Sequence, residues 1–164
     1  MTKEELTRLI SAGETDTLEF KASFGRETIE SCGAFANSRG GKIFIGVSGD
    51  GSIVGVQTGA ETFNDWRNQI ALSSDPTIIP QIESFDINGR TIAIIMVQEW
   101  PIKPVAIKGR HYKRVGNSNR SMNAEEVTSL HLETTGRSWD YQTSDDYTIQ
   151  DIDTGIVQKY IHIS

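Results

Sequence analysis

Apolar residues recur along this chain with two different periods, and the changes of period divide it into elements. Thr2 and Glu5 stand at capping-box spacing, and Leu6, Leu9 and Ile10 follow at helical intervals until Gly13, which predicts a short amphipathic helix. In TLEFKA the period drops to two. Leu18, Phe20 and Ala22 share one face of a strand, and Glu19 and Lys21 share the other. Ile29, Cys32, Phe35 and Ala36 then mark the buried stripe of a second helix that ends at Gly40-Gly41. KIFIGV has the length and composition of a buried strand, and the Gly-Asp-Gly turn in SGDGSIVGV is expected to fold the chain back into a hairpin.

Phe63, Trp66 and Ile70 predict a third helix, broken at Asp75-Pro76. A strand over 82–87 meets RTIAIIMV through the turn pair Asn88-Gly89. VAI and HYKRV, bordered by Pro101 and Pro104, flank Lys108-Gly109-Arg110 as a further hairpin with the exit loop GNSNR. Asn123 with Glu126 caps a last helix carrying Val127, Leu130 and His131 or Leu132. Three hairpins and about four helices do not alternate as strand-helix-strand units. The expected class is therefore α+β, with a mixed or antiparallel sheet of hairpins flanked by helices. The pattern divides the chain into a domain over 1–133 and an acidic linker, or the start of a following domain, over 134–164.

At 164 residues and 37% apolar content the chain can bury one domain-sized core. No apolar run reaches secretory or membrane-spanning length, so the expected location is the cytoplasm and no membrane partner is expected. The single cysteine, Cys32, cannot form an internal disulfide, and with only three histidines a structural zinc site is not expected. The formal net charge of -6 argues at first against a nucleic-acid partner, but its distribution changes that picture. Residues 1–121 hold 14 basic and 14 acidic residues, whereas 122–164 hold 8 acidic and 2 basic, so the tail carries the whole imbalance. Between Pro101 and Ser121 stand Lys103, Lys108, Arg110, Lys113, Arg114 and Arg120 with no acid among them. Such a hairpin suits phosphate oxygens, with Asn117, Ser118 and Asn119 to fix register; charged residues and prolines are also how an edge strand avoids aggregation. The glycine-rich stretch contains neither GxxxxGK[ST] nor a GxGxxG opening a helix, so nucleotide binding is not expected from it.

TLEFKASF, AFANSRGGKIFIGVSGDGSIVGV and YKRVGNSNRSMNAEEV, taken together and in this order, resemble the Schlafen AlbA-like domain over about residues 13–130. The resemblance implies a compact α+β domain that binds DNA or RNA, found at the amino terminus of prokaryotic transcriptional regulators or helicase-related proteins. It implies structural roles for Gly40, Gly41 and Gly46. It also implies a runner-up, since Schlafen nucleases use two glutamates five residues apart and an aspartate after the IGV strand. Glu14 and Glu19 match that spacing, while Gly49 stands where the acid belongs and Asp50 follows one residue late. A metal-dependent endonuclease would place Mg²⁺ or Mn²⁺ on Glu14, Glu19 and Asp50. The leading expectation is a non-catalytic binding module without cofactor, with DNA ahead of RNA. It would grip phosphates through Lys103 to Arg120 with help from Lys21 and Arg39. A homodimer is expected from the apolar strand RTIAIIMV and from the resemblance. A third reading is a protein-interaction module whose acidic tail covers its own basic face.

Overall fold

In a computed structural model that describes residues 2–135, the two periods of the pattern become four helices and two sheets, one helix lying between the sheets. Helix α1 (Lys3–Ala12) starts where expected: the Thr2 hydroxyl accepts from the Glu5 backbone N–H at 3.2 Å, and Leu6 and Ile10 are buried. Strand β1 (Leu18–Lys21), helix α2 (Arg26–Ala36) and strand β2 (Gly41–Ile45) form a strand-helix-strand unit whose strands pair in parallel. Strand β1 stops at Lys21, and Ala22, expected on its apolar face, is exposed beyond its end.

Helix α3 (Thr62–Ser73) leads into the two-residue strand β3 (Ser74–Asp75). Strands β4 (Gln81–Ile87) and β5 (Arg90–Val97) form the expected hairpin, with Asn88 and Gly89 both at positive φ. The first sheet has the order β1-β2-β5-β4. Along β5, Ile92 and Ile94 pack with Leu6, Ile10, Phe20 and Phe44 on the α1 face, while Ala93, Ile95 and Val97 pack with Phe35, Ile43 and Ile45 on the α2 face. Because β5 lies between β2 and β4, RTIAIIMV spends its apolar side chains inside the domain and offers no open edge.

The hairpin expected after β2 does not extend. The turn forms, with Ser48 N–H donating to Ser52 O, but the return is a single bridge between Val47 and Ile53. The reason lies in the sheet: β1 and β5 already occupy both edges of β2. The returning N–H groups of Val54 and Gly55 go instead to Gly46 O, and that of Val56 goes to Thr91 O.

The second sheet, β3-β6-β7-β8, is antiparallel and comprises β6 (Ala106–Ile107), β7 (Arg110–Val115) and β8 (Ser118–Ser121) besides β3. The segment expected as an exit loop, GNSNR, thus turns the chain into β8. Helix α2 packs on β2 and β5 and also on β6, β7 and β8. It is consequently buried all round from Ser31 to Ala36, more than the single stripe its periodicity predicts. The glycine pair after α2 makes the tight exit possible: Gly40 has φ +69°, and a Cβ on Gly41 would sit 2.7 Å from Thr17 O and 2.8 Å from the Phe35 ring. Helix α4 (Ala124–Thr135) carries the expected reciprocal cap, Asn123 Oδ1 accepting from Glu126 N–H and Glu126 Oε2 from Asn123 N–H, each at 2.9 Å. None of its residues is buried. The acidic tail expected over 134–164 lies, apart from Thr134 and Thr135, outside the described residues. Among them, no helix is long and apolar enough to cross a membrane.

Candidate nucleic-acid interface

Alternation along β7 sends Tyr112 and Arg114 toward α2 and Lys113 to the opposite face. Arg114 is an interior residue, its side chain 2% exposed. Its Nη1 donates to Glu19 Oε2 at 2.5 Å and to Asn119 Oδ1 at 2.8 Å, its Nη2 donates to Thr15 O at 2.8 Å, and its guanidinium lies 4.8 Å from the centre of the Phe35 ring. Glu19, on the α2 face of β1, holds Lys21 Nζ at 2.7 Å with its other oxygen. Burial pulls the Lys21 ammonium down, but Glu19 and Glu27 outweigh it and hold its pKa above the ordinary lysine value. Asn119 donates to Ser31 Oγ at 2.8 Å, and Ser38 Oγ accepts from the Arg114 backbone N–H at 3.0 Å. The three sequence motifs therefore meet around one buried guanidinium.

The other expected phosphate ligands separate into two groups. Lys103 is buried, with Nζ on Glu99 at 2.6 Å and on Ser38 O at 3.0 Å. Lys113 pairs with Glu126 at 2.6 Å, and Arg39 pairs with Asp16 at the turn into β2. Lys108, Arg110 and Arg120 are exposed and have no carboxylate partner among the described residues. Lys108 and Gly109, both at positive φ, form the two-residue turn between paired Ile107 and Arg110. Arg120 stands across from Lys113 and shares its face, opposite to that of Arg110, from which it lies three residues or about 10 Å along the strand. Asn117 and Ser118 are exposed at the next turn. The acid-free run from Pro101 to Ser121 is thus neutralised at Lys103, Lys113 and Arg114 by acids from elsewhere in the chain.

The runner-up acids fare differently from what a metal would need. Glu14 Oε1 accepts from the Phe20 backbone N–H at 2.8 Å, which places its carboxylate against β1 beside Glu19. Both Glu19 oxygens are engaged by cations. Asp50 is the exposed turn residue, its oxygens accepting from Ser52 N–H at 2.9 Å and Ser52 Oγ at 3.0 Å; the backbone bond, then the hydroxyl, holds its pKa below the usual aspartate value. Among the described residues no three His, Cys, Asp or Glu side chains are grouped to hold a metal ion. This donor set does not fit Mg²⁺ or Mn²⁺, because the would-be central ligand is already balanced by Lys21 and Arg114.

A family model described as Schlafen, AlbA_2 matches residues 14–123, well over half of the sequence. The chain belongs to the Schlafen AlbA_2 family. No curated protein matches it significantly. Among solved structures, the DIP2311 protein from Corynebacterium diphtheriae is similar at 17% identity and a TM-score of 0.63, covering 80% of this chain and 32% of its own. The N-terminal domain of a helicase RecG-related protein from Nitrosomonas europaea is similar at 22% identity and a TM-score of 0.50, covering 71% of this chain and 90% of its own. At these identities the likeness concerns the fold, and this chain spans about a third of the length of the first of the two.

For this Schlafen AlbA_2 domain, sequence reasoning missed Arg26 and Glu30, which the first turn of α2 brings beside the tip of the β6–β7 hairpin. Glu30 Oε1 accepts from Arg26 Nε at 2.8 Å and from Tyr112 Oη at 3.0 Å. Their spacing of four on one helix was a readable pair, but nothing in the sequence linked it to Tyr112. A larger cleft of about 710 Å³ opens elsewhere, between the end of α1 and the segment around Trp100; its lining includes Leu9, Ile79 and Met96 with one lysine, Lys42. It lacks the cluster of cations a phosphate chain requires.

Proposed function

We propose that this chain is a nucleic-acid-binding module of a transcriptional regulator or helicase-related protein, taking DNA ahead of RNA and holding its phosphates without cleaving them. The observation that carries this reading is the set Lys108, Arg110 and Arg120, exposed on one small sheet and left without carboxylate partners among the described residues. Cations free of internal partners are the ones that can exchange condensed counterions for contact with phosphates. Asn117 and Ser118 add neutral donors beside them. Membership of the Schlafen AlbA_2 family and the likeness to the N-terminal domain of a helicase-related protein support the same class. Lys21, Lys103, Lys113, Arg114 and Asn119 act in this reading as the frame that positions the sheet, and Arg39 pairs with Asp16 at the surface.

The test is a binding titration with labelled double-stranded DNA, single-stranded DNA and RNA over a range of salt, with a gel for cleavage in Mg²⁺ and in Mn²⁺. Three engaged phosphates give a log-log salt slope of about -3 on duplex and about -2 on a single strand. Replacing Lys108, Arg110 and Arg120 by Ala should remove most of that slope. Affinity unchanged by the triple replacement, or cleavage lost on Glu14→Ala, Glu19→Ala, overturns the reading.

A further inference from the structure

Between the first turn of α2 and the β6–β7 hairpin lies a notch of about 150 Å³. Its floor is apolar, formed by the buried Ile29 and Ile107. Its walls include two planar groups, the Arg26 guanidinium and the Tyr112 phenol, and both donate to the same oxygen, Glu30 Oε1. One carboxylate oxygen therefore sets the orientation of both planes before any ligand arrives. Lys108, in the tight turn, and Arg110, the residue that follows it, complete the rim.

This combination does not suit a bare anion, which would be met by converging N–H donors rather than by isoleucine side chains. It suits a flat heterocycle carrying phosphates. Aromatic rings and guanidinium planes are the surfaces on which unpaired bases stack. A space of about 150 Å³ suits a single ring system and not a base pair. We propose that the notch takes one unstacked nucleobase, with the adjoining phosphates on Lys108 and Arg110, so that the module prefers single-stranded or locally opened nucleic acid to closed duplex. The inference rests on the nucleic-acid reading of those two cations and adds to it a seat for the base.

The experiment titrates the full chain with a labelled oligodeoxyadenylate of about ten nucleotides and with an abasic oligomer of the same length and phosphate count. The readout is the ratio of the two affinities, which cancels the phosphate contribution. The base-bearing strand is expected to bind about tenfold more tightly, the size of one base–aromatic stack. That ratio should fall toward one in Tyr112→Leu and also in Arg26→Ala, whose largely exposed side chain can be removed without disturbing the core. In Lys108→Ala, Arg110→Ala both affinities should drop and the ratio persist. A ratio of one in the parent chain overturns the base seat and leaves phosphate binding standing. A ratio that survives both notch variants overturns its placement here, and failure of both oligomers to bind removes this inference and the reading beneath it together.

Discussion

The two sheets bury different chemistry, and the difference shows what a linear pattern can and cannot carry. The first sheet is held by side chains whose burial is written in their own hydrophobicity, such as Phe44, Ile92 and Ile95. The second adds to its apolar contacts on α2, through Val105 and Ile107, a set of buried polar ties: Arg114 on Glu19 of β1, Asn119 on Ser31 of α2, and Asn37 at the end of α2, whose side chain bonds Val105 N–H and O at 2.6 and 2.8 Å and Tyr112 O at 2.9 Å. A run of basic residues therefore reads as a surface from the sequence, while half of its cations pair with acids from elsewhere in the chain, two of them in the interior. Arg114 and Arg110, four residues apart in one strand, have opposite surroundings.

The largest effect should come from breaking the Arg114–Glu19 pair. Arg114→Ala leaves Glu19 in the interior with only Lys21 to balance it. Removing one partner of a buried pair costs about 3–5 kcal/mol, and urea denaturation of the variant should show a loss of that order. Arg114→Met combined with Glu19→Leu removes both charges and should recover most of it. If Arg114→Ala costs no more than a surface change, the polar account of the second sheet is wrong.

The contact of α2 with the second sheet can be sharpened at Gly33, where a Cβ would stand 2.4 Å from Ile107 Cγ1. Gly33→Ala gains about 1 kcal/mol of helix propensity but overpacks a buried contact, which costs about 1–3 kcal/mol. A net loss of about 1 kcal/mol is expected by the same denaturation measurement. Ile107→Ala in the same chain makes room for the new methyl, so the double variant should be destabilised by less than the sum of the two single ones. Strict additivity would mean that α2 and β6 do not press on each other.

The exposed set should behave oppositely to that buried pair. Replacing Lys108, Arg110 and Arg120 by Ala should leave stability within about 0.5 kcal/mol, as for surface positions generally, while it removes phosphate affinity. A triple variant that unfolds would place these residues in the frame rather than on the binding surface.

What the sequence showed follows the same division. Helices α1 and α4 and the β4–β5 hairpin were legible because period and cap or turn residues agree, Thr2 with Glu5, Asn123 with Glu126 and Asn88 with Gly89, and α2 and α3 were legible from period and the breakers that follow them. The β6–β7 hairpin was legible from its turn at Lys108-Gly109; strand β3 has two residues, too few for a period, and β8 reads SNRS with no apolar residue. Their order comes from backbone pairing and from side chains distant in sequence, which no local window contains. The hairpin after β2 was overread because its turn chemistry is genuine and says nothing about whether β2 has a free edge. At the site, the three motifs were visible singly; their meeting at Arg114 depends on the parallel β1–β2 pair, which periodicity does not reveal.

The smallest expected effect is at the edge of the second sheet, where Glu126 caps α4 and accepts from Lys113. The Lys113 hydrogen bond first, and the Asn123 backbone N–H second, hold the Glu126 pKa below the ordinary glutamate value of 4.5. A carboxyl whose folded pKa lies below its unfolded one contributes stability that is fully present above the unfolded value and is lost as pH falls through the folded one. Attachment of α4 should therefore be constant at neutral pH and weaken below about pH 4.5. Because α4 buries no residue of its own, it should loosen before the first sheet does. Hydrogen-exchange protection of the α4 amides, followed from pH 7 downward beside that of β5, reads this directly. Glu126→Gln keeps a cap oxygen for Asn123 but loses the charge facing Lys113, so its α4 protection should be lower at neutral pH and nearly flat over the same range. Loss of β5 protection at a higher pH than α4 would show that acid attacks the apolar sheet before the polar one, and would reverse the contrast between them.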